Sequence, residues 1–408
     1  MRRHDKRDAN LFQELSRLAS DSILGLMAQY RADDAPLKVD LGVGVYRDLS
    51  GNTPVLTAVR RAERAVLAAQ GSKSYVAAAG REEFNSAVEA MVLGPGHVSR
   101  RDRRARTLQT PGGCGALRVG AELIRAAAPA ATVHISDPTW GNHTPLLGSS
   151  GLRLARYPYY DPAGHEVCFE RALEHLERAP AGDVVLVHAC CHNPTGADLD
   201  PAQWQELARL LTRRRLVPFL DLAYQGFAVD LEADAAGARL VAEQVPEALI
   251  AVSFSKNLGL YRERVGALIL IGGNESRADA AMSHMLQIAR SIYSMPPDHG
   301  AAIAARIFAD EALKTEWIEE LDLMRSRIAE MRALLAQQLL RATGDGAFNF
   351  ISRQRGMFSL LGVSGRAVER LRDRHHIYMT PDGRMNIAGI MPHNAAYVAD
   401  AIASERFS

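Results

Sequence analysis

Ala248-Leu249-Ile250-Ala251-Val252-Ser253-Phe254-Ser255-Lys256 opens with consecutive apolar residues, passes through two hydroxyls and delivers a lone lysine. An unbroken apolar run this short, without the alternation of a half-exposed strand, describes a strand buried on both faces. Comparable runs recur at Thr132-Val133-His134-Ile135-Ser136, Val184-Val185-Leu186-Val187-His188, Leu216-Val217-Pro218-Phe219-Leu220-Asp221 and Ala267-Leu268-Ile269-Leu270-Ile271, separated by Ala-, Leu- and Arg-rich segments of helical period. The pattern predicts an α/β fold. Its large domain, residues 53–321, is expected to be a mainly parallel sheet between two helical layers.

Polar residues end these runs: Asp137-Pro138-Thr139-Trp140, His192-Asn193-Pro194-Thr195-Gly196, Asp221-Leu222-Ala223-Tyr224 and Ser253-Phe254-Ser255-Lys256. Open parallel sheets bind ligands beyond the carboxyl ends of their strands, so these endings are expected to meet in one crevice. A lysine held there loses water, and burial lowers an amine's pKa, which suits a nucleophile or proton carrier. The glycines of Gly112-Gly113-Cys114-Gly115 open an Ala-rich helix, where free backbone N–H groups and the helix dipole favour an anion such as phosphate.

From Leu313 to about Ala342 the apolar residues Leu321, Met324, Ile328, Met331 and Leu335 recur every three or four positions, predicting a long amphipathic helix. Residues 322–408 together with 12–52 are expected to form a smaller α+β domain, with residues 1–11 as an N-terminal arm.

Composition narrows the function classes. The 408 residues are 47% hydrophobic and carry a net charge of +1, so a large core is available and no global field favours nucleic acid or an anionic membrane. The basic run Arg100-Arg101-Asp102-Arg103-Arg104-Ala105-Arg106 reads as a solvated loop or helix end. No apolar run approaches the roughly 20 residues that span a bilayer, and the charged N-terminus leads into no apolar signal region. The expectation is a cytoplasmic protein. Four cysteines without a C-x-x-C pair make no disulfide framework. His188-Ala189-Cys190-Cys191-His192 carries metal-ligand residue types, but its spacing suits no closed tetrahedral site, and strand alternation would split the side chains between two faces. No metal is expected.

The motifs taken together resemble the class I aminotransferases, the aspartate and aromatic amino acid aminotransferases of the pyridoxal-phosphate fold type I group. The resemblance runs from Leu41-Gly42-Val43-Gly44-Val45-Tyr46 through Cys190-Cys191-His192-Asn193-Pro194-Thr195-Gly196, Ala223-Tyr224-Gln225-Gly226-Phe227 and Tyr293-Ser294 to Gly383-Arg384-Met385-Asn386. It implies that Lys256 links covalently to pyridoxal 5'-phosphate and serves as general base once substrate displaces it. Asp221 would face the pyridine nitrogen, Tyr224 and Asn193 the ring oxygen, and Trp140 the ring face. Arg264, Ser253 and the amides of Gly112, Gly113 and Cys114 would hold the phosphate. Arg384 would fork the substrate α-carboxylate, near Gly44, Trp140 and Asn193. His143 and His188 would stand behind the aspartate. Tyr75, to the phosphate, and Arg290, to a distal carboxylate, would arrive from a neighbouring subunit of a homodimer.

The expected partners are thus an amino acid and a 2-oxo acid, not nucleic acid or membrane. Cys114 departs from the family's usual threonine or serine, Met295 from its asparagine or serine, and Val76-Ala77-Ala78-Ala79-Gly80 from its usual segment. Tyr157-Pro158-Tyr159-Tyr160-Asp161 and Pro218-Phe219-Leu220-Asp221 look nearer the aromatic branch. The leading expectation is transfer of an aromatic amino group to 2-oxoglutarate through a pyridoxamine form of the cofactor. An aspartate enzyme or a specialised biosynthetic aminotransferase is the alternative, and a non-catalytic regulatory or binding protein on this fold the remote one.

Overall fold

The computed structural model describes residues 12, 15–18 and 22–406; the expected arm, residues 1–11, lies outside them. Its centre is a seven-stranded sheet formed by β1 (Ala105–Pro111), β2 (Thr132–Asp137), β3 (Arg153–Pro158), β4 (Val184–His188), β5 (Val217–Leu222), β6 (Ala248–Ser253) and β7 (Val265–Ile271). The spatial order is β1-β7-β6-β5-β4-β2-β3. Only β7 runs against the others, antiparallel to both β1 and β6.

Strand β6 shows why the apolar runs are unbroken. Leu249 and Ala251 pack into one core with Phe219, Leu268 and the helix Gly112–Ala127, whereas Ala248, Ile250 and Val252 pack into the other with Val185, Leu220 and Ile269. Both faces are covered, so an alternating sequence would bury polar atoms without partners.

Strand order reverses between β2 and β4. The chain leaves β2 toward β3 on one side and leaves β4 toward β5 on the other. Loops at such a reversal diverge and leave a crevice beyond the strand ends.

The long helix is Glu311–Thr343, of 33 residues, capped by the Asp310 side chain on the amides of Ala312 and Leu313. Leu321, Met324, Ile328, Met331 and Leu335 are all buried. It runs unbroken through residues 321 and 322, where a domain boundary was expected, so the flanking regions are joined by a helix rather than a linker. In the C-terminal region Phe358–Leu360 pairs antiparallel with Arg384–Asn386. Val39–Asp40 pairs parallel with Ile377–Tyr378, bringing an N-terminal segment onto the same region.

The basic run ends the helix Val98–Arg101 and enters β1. Several of its charges are paired: Arg100 with Glu89 at 3.0 Å, Arg103 with Glu275 at 2.8 Å and Arg106 with Asp279 at 2.6 Å. No helix among the described residues is long and apolar enough to cross a membrane.

Candidate active site

The crevice is a cavity of about 260 Å³ lined by Gly44, Gly113, Cys114, Trp140, His188, Asn193, Asp221, Tyr224, Ser253, Lys256, Arg264 and Arg384, with Ser255, Tyr261 and Phe358. The first twelve are positions singled out from sequence. Gly112 borders it through Arg264. A larger cavity of about 570 Å³ opens elsewhere, beside Cys190 and Asp234, and contains no lysine.

At one end of the crevice lies the turn from β1 into the helix Gly112–Ala127. Gly112 has φ +69°, and a Cβ there would stand 2.6 Å from Arg264 Nη2; one on Gly113 would come within 3.1 Å of Ser253 Cβ. Glycine at both places lets Arg264 and Ser253 close on the helix N-terminus, giving guanidinium, hydroxyl and amide donors at one point. Arg264 Nη1 is steadied by the Tyr261 carbonyl at 3.0 Å, and Ser253 Oγ bonds Ser255 Oγ at 3.2 Å. Burial pushes the Cys114 thiol up, so it stays protonated near neutrality.

The far end is acidic. Asp221, on buried β5, accepts a hydrogen bond from His143 Nε2 at 3.0 Å, and His143 Nδ1 meets Thr139 Oγ1 at 2.8 Å. Burial alone would raise the Asp221 carboxyl, but the His143 hydrogen bond and charge, with smaller contributions from His188 and Lys256, outweigh it, so it sits below the ordinary carboxylate range. His188 lies against His143 with ring centroids 5.1 Å apart. Burial pushes His188 down to about 3, which keeps it neutral.

Lys256 is held by the turn after β6. Its neighbour Asn257 receives Trp317 Nε1 on its carbonyl at 2.7 Å and donates through Nδ2 to the Gln225 carbonyl at 3.2 Å. Trp317 is fully buried in the long helix, so the lysine turn is anchored from outside the sheet. Burial first, then the charges of Arg264 and Arg384, lowers the Lys256 amine, while Asp221 and Cys114 oppose. Its Nζ lies 5.4 Å from the Tyr224 ring centroid. Burial raises the Tyr224 phenol and keeps it neutral.

Arg384, at the start of its strand, is buried. Nη1 donates to Asn193 Oδ1 at 3.3 Å and Nη2 to the Gly42 carbonyl at 3.0 Å, while Nε is buried without a partner. Trp140 meets His143 edge-on, centroids 5.3 Å apart. The turn bearing Asn193 is shaped by Asp198, whose carboxylate accepts the Cys191 and His192 amides, both at 2.8 Å.

Two expected positions stand apart. Tyr75 is 91% exposed, Arg290 is exposed on the helix Glu275–Ile292, and neither lines the cavity. The expected split of His188-Ala189-Cys190-Cys191-His192 between two faces does not hold. Strand β4 ends at His188 and Cys191 has φ 52°, so the chain turns. The His188 and His192 rings are then 4.3 Å apart, and the Cys190 and Cys191 sulfurs lie within 4.8 Å of an Asp234 oxygen. Asp234 already accepts the amides of Gly226, Ala228 and Val229.

Sequence reading passed over Ser255, Tyr261 and Phe358. Ser255 carried a usable signal, since it lies two positions from Ser253 in the same hydroxyl-rich ending. Tyr261 and Phe358 carried none: Tyr261 lies in a turn and Phe358 on a short strand, and long-range packing brings both to the cavity.

The cavity pairs an anion cradle with a buried lysine and an opposing carboxylate, a donor set that fits pyridoxal phosphate: phosphate at the glycines, aldehyde at the amine, pyridinium at Asp221. Residues 36–402 match the family model for aminotransferase class I and II. Aspartate aminotransferase of Escherichia coli (strain K12) is 43% identical over 392 residues, 96% of this chain and 99% of that one. Aromatic-amino-acid aminotransferase of Paracoccus denitrificans is 43% identical over 94% of this chain and 97% of that one. The crystal structure of aromatic-amino-acid aminotransferase from Burkholderia pseudomallei, covalently bound to pyridoxal phosphate, superposes with a TM-score of 0.94 at 42% identity, covering 97% of this chain and 100% of that one. With nearly its whole length matched in sequence and in fold, this chain belongs to the class I and II aminotransferases and is a pyridoxal-phosphate-dependent enzyme.

Proposed function

We propose that this aminotransferase moves the amino group of an aromatic amino acid to 2-oxoglutarate, in the cytoplasm, as a homodimer. The observation that carries the reading is Arg384: a buried guanidinium with an unpartnered Nε, lining the same cavity as Lys256 and walled by the aromatic rings of Trp140 and Phe358. Relatives named aromatic-amino-acid or tyrosine aminotransferase stand among those matched, beside others named aspartate aminotransferase. One matched structure is an aromatic amino acid aminotransferase with 3-indolebutyric acid.

Pyridoxal phosphate supplies an aldehyde for the amino group and an electron sink for the charge left when the Cα proton departs. Arg264, Ser253 and the Gly112, Gly113 and Cys114 amides bind the phosphate by charge-assisted hydrogen bonds. Asp221, kept ionised, would hold the pyridine nitrogen protonated; Tyr224 and Asn193 would donate toward the ring oxygen, and Trp140 would cover a ring face. Arg384 orients the substrate by its α-carboxylate, near Gly44 and Asn193. Lys256 Nζ, with its lowered pKa, takes the Cα proton and returns it. Tyr75 and Arg290 are contributed by the neighbouring copy, to the phosphate and to the distal carboxylate of 2-oxoglutarate or glutamate.

Arg290→Ala is expected to lower kcat/KM for glutamate by about ten- to a hundredfold, the scale of hydrogen bonds to a charged group, and to change that for phenylalanine by less than about threefold. Equal losses on both donors would remove the assignment. A panel of amino donors with 2-oxoglutarate, read by glutamate formation, tests the donor directly; faster turnover of aspartate than of phenylalanine or tyrosine points to the aspartate branch.

Cys114→Ser replaces a weak thiol donor by a hydroxyl beside the phosphate. It is expected to tighten pyridoxal phosphate binding by about two- to tenfold, the worth of one net hydrogen bond, measured by equilibrium titration of the cofactor-free protein. An unchanged or weaker Kd would show that residue 114 does not face the phosphate.

A further inference from the structure

We propose that Arg332, which lies outside the cavity, is a positioning residue for the substrate carboxylate, acting through Phe358 on Arg384. The inference rests on the reading of Arg384 as the carboxylate fork. Arg332 is 2% exposed on the long helix, and no carboxylate pairs with it among the described residues. Its guanidinium instead collects backbone carbonyls from one short segment. Nε donates to Gly356 at 3.2 Å, Nη1 to Ile351 at 3.1 Å, and Nη2 to Arg355 at 3.1 Å, Gly356 at 2.8 Å and Phe358 at 2.5 Å. Nη1 also reaches Ser359 Oγ at 2.7 Å, and that hydroxyl donates to Gln354 Oε1 at 2.7 Å.

A buried arginine without a counter-ion is costly unless its N–H groups are satisfied. Here all three nitrogens are engaged, and every carbonyl acceptor lies between residues 351 and 358. The charge survives burial, since the guanidinium is pushed down only to about 10. Its work is to fix the irregular residues 354–357 between the one-turn helix Phe350–Arg353 and the strand that follows. Gly356 sits at φ +71°, and the segment enters a strand only at Phe358.

What that segment presents to the cavity is the Phe358 ring. Arg384 Cζ lies 4.4 Å from its centroid, a cation–π contact between two buried side chains. Phe358 Cζ would be 2.9 Å from a Cβ on Gly44, and the Tyr224 ring stands edge-on with centroids 6.1 Å apart. The ring is thus confined on several sides, and the Arg384 guanidinium rests on it while Nη1 and Nη2 are tied to Asn193 and Gly42. A carboxylate needs the guanidinium held in one place for two parallel hydrogen bonds. From the other side, the Phe358 carbonyl held by Arg332 would lie 2.4 Å from a Cβ on Gly196, so the Asn193–Gly196 turn closes on the same point. Arg332 therefore sets the height of the ring under Arg384, although it touches neither substrate nor cofactor.

The test uses the cofactor-loaded enzyme and 3-phenylpropanoate, a carboxylate without an amino group. Arg332→Lys keeps the charge but cannot span the several acceptors. It is expected to weaken 3-phenylpropanoate binding about tenfold, and to raise KM for donor and acceptor together by a similar factor, the scale of one desolvated cation–π contact. Expected unchanged are kcat, within about threefold, and the Kd for pyridoxal phosphate. Phe358→Leu keeps bulk but removes the flat face and should give the same KM pattern; the double variant should lose less than the product of the single losses. A lower melting temperature with unchanged carboxylate affinity in Arg332→Lys overturns the proposal. Should that variant fail to fold, Phe358→Leu decides, and wild-type 3-phenylpropanoate affinity there overturns it too. If the wild-type enzyme itself binds no 3-phenylpropanoate, the reading of Arg384 fails first.

Discussion

Lys256→Ala is expected to abolish transamination, with a loss of at least about 10⁴-fold in kcat, the upper end of what one positioned general base contributes. The amine combines two roles that no neighbour can assume. Tyr224 is a neutral phenol whose pKa burial raises, His188 is neutral and pushed down to about 3, and Cys114 is a protonated thiol. Single-turnover mixing of the cofactor-loaded variant with phenylalanine, followed by absorbance, measures the residual rate. A loss of less than about a hundredfold would show that another group moves the Cα proton. The fold should survive, because Asn257, not Lys256, carries the anchoring bonds to Trp317 and Gln225.

Asp221→Asn should lower kcat/KM by about 10²- to 10⁴-fold, following the roughly 3–5 kcal/mol typically lost when one partner of a buried charge pair is removed. Asparagine keeps the size and can still meet His143, so the change tests charge rather than packing. Among the described residues Asp221 is the one carboxylate lining the cavity, so without it no lining group would offset a proton on the cofactor's ring nitrogen. The same substitution removes a charge that holds the Lys256 amine up, so the lysine's apparent pKa should fall further; a spectral pH titration of the loaded enzyme reads this. Near-wild-type kcat/KM in Asp221→Asn would contradict the assigned role.

The sheet was legible because its strands are short, apolar throughout and bounded by polar residues. Each sequence run matches an observed strand to within a residue or two, as at Thr132–Asp137 and Ala248–Ser253. The cavity was legible where its residues sit at strand ends, as Lys256, Asp221, Asn193 and Trp140 do. Position relative to a strand is a local property, and local properties survive in sequence. The argument failed at Cys190 and Cys191, where periodicity was carried past the end of β4. Cys191 takes a positive φ, and nothing in its own chemistry announces that.

Several properties therefore followed from the amino-acid order alone: an α/β class, a lysine after a buried strand, glycines opening a helix, and the motifs that mark an aminotransferase. Each depends on contacts between near neighbours or on one residue's chemistry. Tertiary structure alone decided how the ends meet. It brought Trp317 to the lysine turn across 60 residues and Arg384 to Asn193 across 191. It also assigned a buried arginine at position 332, inside an amphipathic helix, to the carbonyls beneath Phe358. The physical reason is that a buried guanidinium is satisfied by whichever acceptors packing brings within 3 Å or so, and helical periodicity records only that a position faces inward.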